Sequence, residues 1–277
     1  MKKIIILLAL LTIAGCSTKF AYRNADWLTY WYVDDYISLT DEQEEHFDEH
    51  LQQWLSWHKS EELDKYVAQL NEIKADVETG NISAQRIESL QNKMRSHWVR
   101  LRDKLTPDLV TMAPMLTQEQ ALELFAQLAE SELDSKEKRD KRSAKKRKKR
   151  WLKNRENNLQ RWLGNLSDEQ ENMIVTLYDK QMTTAELWYQ YRIDYQAQLK
   201  ALFMQPNRDK EFEARLLNLL SEPEQLRSAE LKQRIAHNRQ HDYQFLADIF
   251  STMSDKQRRH LVEELEDLID DLTSLKK

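Results

Sequence analysis

Apolar residues recur along most of the chain at steps of three and four. Leu63, Tyr66, Leu70, Ile73 and Val77 form one such series, and Ile87, Leu90, Met94, Trp98, Leu101 and Leu105 form another. Each predicts a helix with one buried stripe and solvated flanks. Gly80 is placed to end the first helix and Ser83 to cap the second, so the pair predicts a helical hairpin. Pro107 after Thr106 and Pro223 after Glu222 read as first-turn prolines that follow their caps. Further helices are predicted over 167–203, 207–220, 223–250 and 254–275. No strand pattern competes with them, and the expectation is an all-α fold of long antiparallel helices.

Composition narrows the functional classes. Only Gly80 and Gly164 lie beyond residue 15, so a glycine-rich phosphate cradle has nothing to be built from. No Ser-His-Asp order and no paired-carboxylate site in a recognisable context occurs, which predicts a non-enzymatic protein without a cofactor.

The chain opens MKKIIILLALLTIAGCS, two lysines and then an apolar run from Ile4 to Ala14 that is too short to span a bilayer. The residues around Cys16, the single cysteine, resemble the bacterial lipobox. That resemblance implies removal of residues 1–15 as a signal peptide and diacylglycerol and palmitate on Cys16. With Ser17 next, it also implies an outer-membrane position facing the periplasm. A cysteine used for an anchor leaves none for a disulfide. Residues 16–38 would then form the anchor and a membrane-proximal segment rich in Tyr22, Trp27, Tyr30, Trp31, Tyr32 and Tyr36. These aromatics suit either a lipid interface or docking on the helical body.

A short frame recurs four times. Leu39, Thr40 and Gln43 open LTDEQ; Leu116, Thr117 and Gln120 open LTQEQ; Leu166, Ser167 and Gln170 open LSDEQ; Met253, Ser254 and Gln257 open MSDKQ. A hydroxyl at N-cap with glutamine at N3 is a capping box, which satisfies two orphan amide hydrogens. Glutamate would serve that box equally well, and the chain holds 26 Glu against 21 Gln, yet all four N3 positions are Gln. The frame resembles the L-[ST]-x-x-Q motif of the Spy/CpxP group of periplasmic helical proteins, which includes an ATP-independent chaperone, a stress-signalling inhibitor and a zinc-responsive relative. The anchor, the aromatics, DDY and LTDEQ together are similar to an uncharacterised family of bacterial lipoproteins. The resemblance implies two tandem Spy-like halves, 39–135 and 166–277, joined by a basic helical connector over 136–163.

That connector holds 13 Lys or Arg against Glu137 and Asp140 between Lys136 and Arg155, a net of +11. Loss of Lys2 and Lys3 takes the formal charge from −5 to −7, which leaves −18 on the rest of the chain. Three partners fit such a tract. One is acid elsewhere in the chain, such as Glu44, Glu45, Asp48 and Glu49 or the segment 263–271. Another is an anionic headgroup or cell-wall polymer gripped by Lys145, Lys146, Arg147, Lys148, Lys149 and Arg150. The third is an unfolded acidic client. Nucleic acid is not expected in an envelope compartment.

His46 and His50, and likewise His237 and His241, stand four apart and could share zinc on one helix face. HFDEH also fits the inverted zinc-protease signature, but that site is built on a mixed α/β domain. The combined expectation is a lipid-anchored envelope binding protein in a chaperone or stress role, with a structural bridge to an anionic polymer, or periplasmic zinc binding, as alternatives.

Overall fold

The computed structural model describes residues 16–276, all of whose regular elements are helical. The expected signal peptide, 1–15, lies outside them. We number the α-helices in chain order: α1 (Cys16–Arg23), α2 (Ala25–Asp34), α3 (Asp41–Trp57), α4 (Leu63–Thr79), α5 (Ala84–Met112), α6 (Gln118–Asp140), α7 (Ala144–Leu163), α8 (Asp168–Lys180), α9 (Ala185–Phe203), α10 (Lys210–Ser221), α11 (Ala229–Ser251) and α12 (Asp255–Leu275). Among the described residues no helix is long and apolar enough to cross a membrane.

α3 runs into α4 without a break through a π-helical turn at His58–Glu62. The extra residue of such a turn resets the helix face by about 100°, so the stripe that begins at Leu63 meets different neighbours from the one before it. Gly80 ends α4 at φ +71, accepted without strain only by glycine, and Ser83 caps α5 by accepting from the Arg86 amide.

Two apolar cores result. The larger joins α4, α7, α8, α11 and α12 through Leu63, Val77, Leu163, Ile174, Ile249, Leu261 and Leu272. The smaller joins the end of α5 to α6, α9 and α10 through Val110, Phe125, Leu202, Phe212 and Leu216. Each such side chain, fully buried, contributes about 1.5–3 kcal/mol. Both cores draw helices from either side of the basic connector. Between the first two LTxxQ frames the chain goes out along α3 and α4 and back along α5. Between the last two it goes out along α8 and back along α11, with the α9–α10 hairpin inserted and packed on α6 and α5.

Several elements depart from the apolar pattern. The helix expected over 167–203 is interrupted at residues 181–184. There Met182 exchanges backbone bonds with the Asn238 amide at 2.8 and 2.9 Å, the Thr183 carbonyl accepts from Arg234, and the Lys180 carbonyl bonds to His237. Side chains of α11 thus satisfy the freed backbone, a contact that no local pattern carries. Pro107 does not start a helix; it lies inside α5, whose C-terminal turns are held by core packing. Pro223 opens a short 3-10 turn ahead of α11. The α5 stripe is not buried throughout: Met94 is 48% exposed and Trp98 43%, while His97 between them is buried.

Candidate functional site

The four caps do more than cap. Each has its reciprocal box: Thr40, Thr117, Ser167 and Ser254 accept from the N3 amide, and each N3 glutamine oxygen accepts from the cap's own N–H. The boxes also pair. Gln43 Nε2 donates to Gln120 Oε1 at 2.9 Å and Gln120 Nε2 donates back to Gln43 Oε1 at 2.7 Å. The second amide hydrogen of each reaches the carbonyl just before the partner's frame, Met115 for Gln43 and Ser38 for Gln120. Gln170 and Gln257 repeat the arrangement, with Thr252 and Asn165 as the carbonyls. A carboxylate could close its own box but could not donate to the partner. That is the physical reason for glutamine at all four places.

The aromatic segment divides by face. Tyr22 points inward, its hydroxyl 3.1 Å from His58 Nδ1, and Tyr30 donates to the Glu44 carbonyl while its ring meets Phe47 edge-on. Phe47 is half-buried between Tyr30 and Trp54. Phe20, Trp27 and Trp31 are exposed, and the two indoles stack at 6.4 Å. Cys16 stands at the first position of α1.

In the basic tract, the acids that meet the cations are local or on α8, α9 and α11. Lys138, Lys141 and Lys136 pair with Asp134, Glu137 and Asp140, Arg139 with Glu186, Lys148 with Asp179 and Arg155 with Asp242. No ion pair joins the tract to Glu44, Glu45, Asp48, Glu49 or the segment 263–271 among the described residues. Of the six central cations, Lys148 turns toward the body, its ammonium 4.6 Å from the Tyr178 ring. Lys145, Lys146, Arg147, Lys149 and Arg150 are exposed, and no described carboxylate forms an ion pair with any of them. They occupy the first two turns of α7, capped by Ser143 and with no acid in the first turn. The first turn, with Lys145, Lys146 and Arg147, is the positive end of the helix dipole, where cations are disfavoured.

Of the two histidine pairs, His237 and His241 are in ring contact. His46 is exposed; His50 stacks on Trp54 with Nδ1 3.6 Å from Asp108 Oδ2. The ring of His237 bonds the Lys180 carbonyl, and His241 meets His237 edge-on at 4.5 Å. No group of three or more potential metal ligands occurs among the described residues.

A polar seam between α4 and α5 was not anticipated from the apolar pattern. Glu62, Gln69 and Asp76, seven apart, are all buried and each faces α5. Asp76 accepts from Arg86 at 2.6 Å. Gln69 donates to the Leu90 carbonyl and accepts from His97 Nε2 at 2.6 Å. Glu62, with no exposed surface, accepts both arms of Arg100 at 2.8 Å and the Lys65 ammonium at 2.8 Å. Burial alone would raise the Glu62 carboxyl; hydrogen bonds from Arg100 and Lys65 outweigh it and hold the group down to about 2. Arg100 also donates to His97 Nδ1, so the neutral ring carries its proton on Nε2. Burial lowers His97 and His58, and His58 joins Tyr22 to Tyr66 through its two nitrogens at 3.1 Å each. The seven-residue spacing of polar side chains beside the apolar stripe was the available signal for this seam.

The model of one protein family, a family of unknown function (DUF6279), matches residues 35–232, a span that takes in the capping boxes of Thr40, Thr117 and Ser167, the polar seam and the basic tract. The chain matches no curated protein and no solved structure.

Proposed function

The chain belongs to the DUF6279 family, and from that footing we propose that it is a lipid-anchored, non-enzymatic binding protein of the bacterial envelope, held to the outer membrane through Cys16, whose α7 grips an anionic polymer of the cell envelope. One observation carries the reading. Five exposed cations, three of them in a helix first turn where the dipole disfavours positive charge, have no ion-pairing carboxylate among the described residues. A local rule broken without compensation among the described residues marks a place where an outside partner supplies it. An extended polyanion, which presents repeated negative charge along a line, matches a helix face of this kind.

The test is sedimentation of the protein with purified cell-wall sacculi at low and high salt. Binding that weakens steeply with salt and is lost in a Lys145→Glu, Lys146→Glu, Lys149→Glu variant supports the bridge. Salt-insensitive binding, or none, removes it.

A second reading, a Spy-like chaperone, is favoured by Met94 and Trp98, one helical turn apart and exposed on α5. A holdase assay with Met94→Ser and Trp98→Ser is the discriminating measurement. Client protection unaffected by these substitutions, or absent in the parent protein, ends that reading.

A further inference from the structure

We infer that α1 and α2 lie flat on a phospholipid bilayer, with Phe20, Trp27 and Trp31 seated at the boundary between headgroups and acyl chains. The inference deepens the membrane-anchored reading above, and it is carried by a face of the fold, not by the cysteine.

The aromatic segment is two-sided. Its inner side is fixed to the helical body at three places: Lys19 pairs with Asp271 on α12 at 2.8 Å, Tyr22 bonds His58, and Tyr30 bonds the Glu44 carbonyl. Those ties hold the outer side as a preformed surface. On it Phe20 is 64% exposed, Trp27 59% and Trp31 46%. Trp27 and Trp31 are one turn apart on α2 and Phe20 stands on α1, seven residues before Trp27; the Asn24 amide and carbonyl bridge the junction with hydrogen bonds of 3.1 and 2.9 Å, and all three side chains are open to solvent. Exposed polar residues Arg23, Asp26, Asp34 and Asp35 flank the rings.

The occupant follows from the chemistry and from what precedes the face. The apolar run Ile4–Ala14 lies outside the described residues and meets α1 at Cys16, one turn before Phe20. Whether that run is retained or replaced by acyl chains, it delivers the face to lipid. The split of residue types agrees: Tyr22 and Tyr30 make hydrogen bonds inward, and the tryptophans, which favour the bilayer interface, are exposed. The segment from Lys19 to Asp35 carries Lys19 and Arg23 against Asp26, Asp34 and Asp35, so it is near neutral. Its contact is therefore aromatic and insensitive to salt, unlike that of α7.

The full chain would be reconstituted with phosphatidylethanolamine and phosphatidylglycerol vesicles whose acyl chains carry bromine at defined depths, and tryptophan quenching recorded. Lipid contact requires that bromine near the headgroup end quench most strongly and that Trp27→Phe with Trp31→Phe remove most of the effect. It also requires that Trp27→Ser with Trp31→Ser weaken vesicle partitioning about tenfold. Quenching that survives the phenylalanine pair, or none in the parent chain, overturns the inference. Indoles shielded from an aqueous quencher without lipid, with a doubled mass in sedimentation, assign the face to a second copy and also overturn it. Acylation of Cys16, read separately by mass, keeps the two claims apart. An unacylated chain with quenched indoles retains the face and loses the anchor; an acylated chain with unquenched indoles does the reverse.

Discussion

Gln43 and Gln120, 77 residues apart, exchange two hydrogen bonds head to tail, each amide donating to the other's oxygen while closing its own helix cap. The four hydrogen-bond positions of each side chain are filled, two by donation and two by acceptance. Gln170 and Gln257 do the same across 87 residues.

A glutamate at either pair should therefore be costly although it keeps the box. Gln170, fully buried, is the sharper case: Gln170→Glu is expected to lose about 3 kcal/mol by urea unfolding, from a buried charge opposite an acceptor and a carbonyl left without its donor. Ser167→Ala, which removes only the cap, should lose about 1 kcal/mol. If the two variants unfold at the same midpoint, the pairing of the glutamines contributes nothing.

Acid should destabilise the fold in two stages. His58 and His97 are held below 6.5 in the folded chain by burial, so the unfolded chain takes up their protons first. Their contribution is complete above 6.5 and is lost as pH falls below it. Glu62, depressed from 4.5 to about 2, adds a second loss as pH falls from the first value toward the second. Urea midpoints measured across this range should show both stages, and His97→Gln should shrink the first. A midpoint that stays flat through the histidine range contradicts the assignment.

Lys145→Glu with Lys146→Glu should stabilise the isolated protein by about 0.5–1 kcal/mol, since it places acid at the N-terminus of α7 and relieves repulsion among neighbours. The same substitutions should abolish salt-dependent binding to an anionic polymer. Calorimetry and sedimentation on one protein stock test both. Destabilisation would mean that these cations have a partner in the chain.

Arg208 donates to the carbonyls of Ala113, Pro114 and Leu116 beyond the end of α5, and to that of Phe203 at the end of α9. Its guanidinium lies over the rings of Phe203 and Phe212. Arg208→Ala leaves these half-buried acceptors unmatched and should lose about 2–3 kcal/mol, with hydrogen exchange rising first in α9 and α10. Uniform loosening of both cores would point elsewhere.

The all-helical class was legible because it depends on repeated local choices: few glycines, steps of three and four, and a hydroxyl and glutamine three residues apart at four helix starts. The break at 181–184 was not legible because its hydrogen bonds come from Arg234, His237 and Asn238, more than 50 residues away. His97 was hidden for a related reason. It interrupts the face of α5 that the spacing of Met94 and Trp98 defines, and Glu62, Tyr66 and Gln69 across the hairpin explain which side is inside. The glutamine preference was visible as a bias, but its cause lies in a pairing between distant frames.

The packing of α12 on α4 sets an order in time. Lys276 bonds Asp64 across 212 residues, and Arg258 of α12 donates to the Val77 carbonyl at the end of α4. A chain made from its N-terminus can form the α4–α5 hairpin early, but the larger core has no last wall until its final helix arrives. Until then Leu63, Leu70 and Val77 present an open apolar strip. A chain truncated before α12 should accordingly be captured by folding helpers or proteases rather than persist as a smaller folded form.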